Sequence, residues 1–323
     1  MDNVALLIWI ALLLPAAIFL ALPRLTPRGY FFGITVPPDF PQTESGREIR
    51  RGYALTVAVA FLLGLALGII VPQAMPAAVF LPIFASTGAF FYARHHVKPF
   101  STSARRPPAA EVGGGRESLP AWTLLGLPPF AVLAIVAAYL RSHWDEIPAR
   151  FPVHWGWDGQ PNRWAARTPH GVYGPLWFAA AIMALMAVLA LVTFYGSRRS
   201  PLRIAVLKIM IGVEYLFAFI FAIVGLLPLQ RFSPAALILP IVLFEGALLA
   251  YLFKLAADPD ISADATPDAC WHLSTIYYNR ADPSLFVQNR IGLGYTLNMG
   301  NPASWVLLGV ILAIIPLAIV LLR

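Results

Sequence analysis

Long apolar runs alternate with short polar stretches along the chain, and this alternation is the strongest structural signal in the sequence. Eight runs stay apolar on every side for about 20 residues, the length at which an α-helix crosses the hydrocarbon core of a bilayer. They cover residues 4–22, 53–71, 75–92, 121–140, 172–195, 204–227, 233–253 and 303–322. The pattern predicts an all-α integral membrane protein with about eight transmembrane helices.

The composition favours the same class. Hydrophobic residues make up 59% of the chain and charged residues 12%, whereas a soluble domain has about 45–50% and 25%. Cys270 is the only cysteine, which excludes an internal disulfide and a thiolate metal cluster. No cofactor is predicted.

The positions of the basic residues predict the orientation of the helices. Of the 23 Lys and Arg residues, 17 lie in or beside the first, third, fifth and seventh connections between apolar runs. The positive-inside rule places these connections in the cytoplasm, and both termini and the other connections outside. Although the net charge is +7, this distribution describes topology and not a nucleic-acid footprint. The predicted partner is therefore the lipid bilayer, with no nucleic acid.

The polar stretches divide the chain into five regions: 1–104 with three helices, a flexible linker at 105–118, a helix pair with a polar loop at 119–200, a helix hairpin at 201–255, and a last segment with the final helix at 256–323. Within 256–302, the runs 274–278, 284–287 and 294–298 predict short strands forming a small cytoplasmic β-hairpin-like segment. Pro128 and Pro129 fall inside the fourth apolar run, which is therefore expected to be kinked or re-entrant.

The polar loop at 147–167 holds most of the candidate functional residues. They are His154, Trp155, Trp157, Asp158, Gln160, Asn162, Arg163 and Trp164. Together with His143, His170, Asp145 and Glu146 they offer metal ligands, but their spacing matches no ligand signature, and turn hydrogen bonds are the favoured interpretation. The tryptophans fit either an aromatic belt at the membrane interface or a surface that grips an amphipathic peptide or lipid headgroup.

Two carboxylates, Glu214 and Glu245, lie near the middle of predicted adjacent helices. Intramembrane carboxylates are costly and often mark ion or proton pathways. If they face each other, they would share a proton and titrate as a pair. The alternative is that neighbouring polar groups satisfy each one separately.

The loop resembles that of a bacterial membrane-protein family that includes the SdpI-type immunity proteins against a secreted peptide toxin. The residues that carry the resemblance are Ile147, Pro148, Pro152, His154, Trp155, Gly159, Pro161, Asn162 and Trp164. The runs 31–37 and 277–305 are similar to uncharacterised segments of longer relatives. The resemblance implies a bacterial plasma-membrane protein whose loop lies on the outer face.

The leading hypothesis is a polytopic membrane protein that is not an enzyme, with an outward-facing loop recognising a secreted peptide or a lipid. A first alternative is a proton- or cation-coupled transporter that uses Glu214 and Glu245. A weaker alternative is a metal-dependent membrane hydrolase built on His143, His154, His170 and Asp158.

Overall fold

Long helices dominate the computed structural model, which describes residues 15–102, 118–155, 160–197, 201–229, 237–258, 260–261 and 266–321. Helix α1 is described over residues 15–21. The others are α2 (Glu44–Ile70), α3 (Met75–Val97), α4 (Pro128–Ser142), α5 (Pro169–Gly196), α6 (Pro201–Leu226), α7 (Ile238–Ala257) and α8 (Pro302–Leu321). Within the described ranges, six stretches are long and apolar enough to cross a membrane, so the chain is a mostly helical, multi-pass membrane protein.

Four antiparallel strand pairs lie between the helices in the described part of the chain. They are β1 (Tyr30–Phe31) with β2 (Ile34–Thr35), β3 (Arg150–Trp155) with β4 (Pro161–Ala166), β5 (Trp271–His272) with β6 (Ile276–Tyr277), and β7 (Phe286–Gln288) with β8 (Tyr295–Leu297). The last two pairs confirm the prediction of short strands before the final helix. The β3–β4 hairpin was predicted only as an ordered loop.

The fourth apolar run differs from its prediction at Pro128 and Pro129. Residues Ala121–Gly126 form a 3₁₀ helix, and α4 begins at Pro128. Proline is favourable in the first turn of a helix because the N–H groups of that turn have no partner within the helix. The proline pair therefore starts a helix instead of kinking one.

The 3₁₀ helix and α4 together extend from one end of the bundle to the other. Before it, Leu119 and Trp122 pack against Phe194 at the end of α5. Beyond its last turn, Ile147 packs with Val172 at the start of α5. The fourth apolar run therefore crosses the bundle, in contrast to the alternative of a re-entrant segment.

The odd-numbered connections meet at one end of the molecule. The Thr35 hydroxyl donates to Asp268 Oδ1 at 2.7 Å. The Arg28 Nη2 group donates to the Ala257 carbonyl at 3.2 Å. The Leu285 N–H donates to the Gly196 carbonyl at 3.1 Å. These contacts join the first, fifth and seventh connections, which the charge count assigned to one side. The β3–β4 hairpin lies at the opposite end of α4 and α5.

Candidate functional site

The base of the β3–β4 hairpin is packed into the hydrophobic core formed by α4, α5 and α6. Ile147 and Phe151 are each 1% exposed and pack with residues of α4, α5 and α6. The Arg167 guanidinium contacts the carbonyl oxygens of Trp144, Asp145 and Ile147 at 3.1–3.3 Å. The hairpin is therefore held rigidly at its base, where β3 begins and β4 ends.

The far half of the hairpin is exposed. Its strand register shifts between Pro152 and His154, so Val153 has no partner opposite it. A bulge of this kind re-aims the side chains beside it, and both Val153 and His154 are exposed. The His154 imidazole Nδ1 lies 2.5 Å from Asn162 Oδ1 across the hairpin.

The remaining candidates of the loop are placed as follows. Gln160, Asn162, Arg163 and Trp164 are exposed, and the Arg150 guanidinium lies 5.7 Å from the centre of the Trp164 ring. The backbone of Trp155 belongs to β3. Trp157 and Asp158 lie outside the described residues. The structure thus brings His154 and Asn162 together and leaves Arg163 and Trp164 beside them facing solvent.

The three histidines considered as metal ligands each contact a different neighbour. His143 Nδ1 lies 2.9 Å from the Tyr139 carbonyl, whereas His154 pairs with Asn162, and the ring of His170 lies edge-on to that of Trp177. Across the described ranges, no three His, Cys, Asp or Glu side chains are grouped so that they could hold a metal ion. The hydrolase alternative has no site in this part of the chain.

Aromatic side chains surround the base of the hairpin at the membrane end. Trp144 stacks on Tyr173 with 5.9 Å between ring centres, and Tyr173 lies 6.2 Å from Trp177. Trp177 is 52% exposed on α5. These positions fit an aromatic belt, and they separate Trp144 and Trp177 from Trp164, which lies on the hairpin itself.

The two intramembrane glutamates occupy different environments. Glu214 is 2% exposed on α6, and its Oε2 lies 3.0 Å from the position of an ideal Cβ on Gly126. Gly212, which is 200° from Glu214 around α6 at 100° per residue, faces Phe244 of α7 at 3.5 Å. Glu214 therefore faces the start of α4, on the side of α6 that points away from α7 and Glu245.

Sequence reasoning missed a polar cluster at the opposite end of the molecule. Arg290 is 2% exposed, its guanidinium lies 5.0 Å and 4.9 Å from the ring centres of Tyr30 and Trp271, and it forms an ion pair with Asp268. A guanidinium over two aromatic rings gains cation–π attraction from each of them. Arg290 thus joins the β7–β8 segment to the β1–β2 segment.

The same junction includes a close contact between Gly33 and Ser274. Gly33 has φ +70°, and a Cβ there would lie 2.6 Å from the Ser274 Cβ. The Ser274 hydroxyl donates to the Gly33 carbonyl at 2.6 Å, and Arg94 donates to the same oxygen at 3.1 Å. Only glycine fits here, because both the backbone conformation and the space exclude a side chain.

Asn298 organises the segment before α8. It is fully buried, its Oδ1 accepts the N–H groups of Asn279 and Gly300, and its Nδ2 donates to the carbonyls of Asn279, Asp282 and Ser284 at 2.9–3.2 Å. One side chain thereby satisfies five backbone groups. The sequence signal was limited to an asparagine among turn-forming residues, which does not distinguish this role from a surface turn.

Two family models match parts of the chain. A domain of unknown function, DUF1648, matches residues 130–188, and a family of unknown function, DUF5808, matches residues 280–305. The first match covers α4, the β3–β4 hairpin and most of α5, and the second covers the segment that contains Arg290 and Asn298. No curated protein and no solved structure matches the chain.

Proposed function

We propose that the β3–β4 hairpin is an outward-facing recognition element that binds an amphipathic ligand, either a secreted peptide or a lipid headgroup. The single observation that carries this proposal is the contrast within the hairpin. Its base is buried and contacted by Arg167, whereas His154, Asn162, Arg163 and Trp164 beyond the base are exposed. A rigid base with exposed aromatic and guanidinium groups suits binding, because little side-chain and backbone freedom is lost on contact.

The chemistry of the exposed groups indicates what the ligand offers. An indole supplies an apolar face with a polar edge, and a guanidinium donates to carboxylate or phosphate groups. Arg150 and Arg163 lie on the same hairpin as Trp164. We therefore expect a ligand with an apolar part next to a negatively charged or carbonyl-rich part. The resemblance to immunity proteins supports a secreted peptide as one source of such a ligand.

The test measures two ligands separately with the purified full-length protein in neutral phosphatidylcholine nanodiscs. One is a short-chain phosphatidylglycerol, and the other is a synthetic amphipathic peptide. We expect calorimetry to show that one of them binds, and that Trp164→Ala or His154→Ala weakens binding at least about tenfold, as for a central aromatic contact. Arg163→Ala is also expected to weaken binding, because it removes a guanidinium from the exposed part of the hairpin. Arg141→Ala, which removes an exposed arginine outside the hairpin, is its matched control and should leave binding unchanged. Equal binding to all variants, or none to the unaltered protein, contradicts the proposal.

A further inference from the structure

Pro128 and Pro129 leave two backbone carbonyls without their helical donors. In an α-helix or a 3₁₀ helix, a carbonyl accepts from the residue four or three positions later. For Leu125 these are Pro129 and Pro128, which have no N–H. For Gly126 they are Phe130 and Pro129, and the Phe130 N–H donates instead to the Leu127 carbonyl at 3.0 Å. The break before α4 therefore presents acceptors with no regular partner.

The Glu214 carboxylate lies at this break. Its Oε2 is 3.0 Å from the Cβ position of Gly126, so a methyl group at residue 126 would press on the carboxylate. Glu214 lies thirteen residues after the start of α6 and twelve before its end, which places it about 18–20 Å from either end of the helix. The carboxylate thus lies against Gly126, the residue that carries one of the two freed carbonyls, deep inside the membrane-spanning region.

No cation balances this carboxylate within the described residues. Among them, none forms an ion pair or hydrogen bond with Glu214. The nearest basic group on α6 itself, Lys208, lies with its Nζ 5.8 Å from the Trp122 ring, about 9 Å along the helix from Glu214.

The other elements packed on α6 carry their titratable groups elsewhere. Helix α4 has Tyr139 and Arg141 near its far end, α5 has His170, Tyr173 and Tyr195 in its first and last turns, and α7 has Glu245, Tyr251 and Lys254. The 3₁₀ helix before α4 has none. A carboxylate beside unpaired carbonyls is a site composed of acceptors, and burial of such groups is costly unless a positive species binds them.

We propose that Glu214 and the helix break at Leu125–Gly126 form a binding site for a small monovalent cation, a proton or Na⁺, that does not involve Glu245. A proton on Glu214 would donate to a freed carbonyl, and Na⁺ would be held by carboxylate and carbonyl oxygens. This site is independent of the β3–β4 hairpin. It is also what the transporter alternative requires, with one glutamate in place of a pair.

Infrared spectroscopy of the full chain in lipid vesicles tests the site directly, because a protonated carboxyl has its own C=O band. In choline buffer at neutral pH we expect a carboxylic acid band that is lost in Glu214→Gln and kept in Glu245→Gln. Adding Na⁺ distinguishes the two occupants. Loss of the band on adding Na⁺ identifies Na⁺ as the ligand, and an unchanged band identifies a proton.

Two further variants probe the helix break. Pro129→Ala supplies an N–H to the carbonyls of Leu125 and Gly126, and Gly126→Ala places a methyl group at the carboxylate. Both are expected to shift the frequency or pH midpoint of the Glu214 band. Gly212→Ala, whose new methyl would make an ordinary 3.5 Å contact with Phe244, is the control and should leave the band unchanged. A band that is the same in Glu214→Gln and the unaltered protein, with or without Na⁺, overturns the proposal.

Discussion

Single side chains decide how the connections between helices are held. Arg167 and Asn298 each satisfy several backbone carbonyls, and Arg290 donates to the Thr266 carbonyl at 2.6 Å. In each case a polar side chain replaces the regular hydrogen bonding that the irregular backbone lacks. Buried backbone groups without a partner are costly. We therefore expect these residues to contribute more to stability than neighbouring surface residues do.

Replacing Arg167 with Ala should loosen the base of the β3–β4 hairpin. The three carbonyls that its guanidinium contacts would lose a charged donor, and we expect a loss of roughly 1–3 kcal/mol in unfolding free energy. Thermal or denaturant unfolding of the purified protein measures this loss. Arg163→Ala removes an exposed arginine of the same hairpin and should change stability by less than about 0.5 kcal/mol. Equal effects of the two substitutions would show that Arg167 does not hold the base.

Replacing Asn298 with Ala should be among the most damaging single changes outside the helices. It leaves five backbone groups without their partner in a buried segment, and we expect a loss of at least about 2 kcal/mol. Thr296→Ala removes one exposed hydrogen bond to the Thr275 carbonyl and serves as the control. A loss for Asn298→Ala no greater than that for Thr296→Ala would contradict this role.

Tyr277 should make stability sensitive to alkaline pH. Burial raises the pKa of its phenol, whose hydroxyl donates to Asp282 Oδ2 at 3.1 Å. Because the folded pKa lies above the unfolded value, the contribution of Tyr277 is complete below about pH 10 and is lost as the pH rises further. Unfolding free energies measured across this range should fall less steeply in Tyr277→Phe. An identical slope in both proteins would exclude ionisation of Tyr277 as a cause.

At the scale of elements, the last polar segment acts as a connector between two groups of helices. It contacts the β1–β2 segment, which packs on α2 and α3, through Arg290 and Ser274, and it contacts the end of α5 through Leu285. Two-stranded pairs of this size are not stable alone. The position of β5–β8 therefore depends on these few contacts with the other connections.

Replacing Arg290 with Ala should release the β5–β8 segment from the β1–β2 segment. Cys270 lies next to Trp271 in this junction and is half-buried. Opening of the junction should increase the rate at which a maleimide labels Cys270 in the purified protein several-fold. Arg280→Ala, which removes a guanidinium 5.9 Å from the Tyr278 ring, is the control. An unchanged labelling rate in Arg290→Ala would show that the cluster is not what holds the segment in place.

At the scale of the whole molecule, the β3–β4 hairpin and Cys270 lie at opposite ends of the helices. The convergence of the odd-numbered connections agrees with their shared excess of basic residues. From the positive-inside rule we propose that Cys270 lies in the cytoplasm and the hairpin outside.

A membrane-impermeant maleimide tests this orientation in cells that express the protein. We expect Cys270 to be labelled only after permeabilisation, whereas Gln160→Cys in a Cys270→Ser background should be labelled in intact cells. The two thiols are each other's control. Labelling of Cys270 in intact cells would place the hairpin in the cytoplasm and exclude an external ligand for it.

The sequence by itself determined the class of protein and the position of most elements, because apolar length and charge asymmetry act locally and do not depend on which helices become neighbours. It also predicted the short strands before α8.

Only the tertiary structure decided which groups meet. The sequence spacing of Glu214 and Glu245 is compatible with a facing pair, but the rotation of α6 turns Glu214 towards Gly126 and the proline break. The contacts of Arg290 with Tyr30 and Trp271 join residues separated by more than two hundred positions. Such contacts depend on helix rotation and on the packing of distant connections, which no local pattern in the sequence specifies.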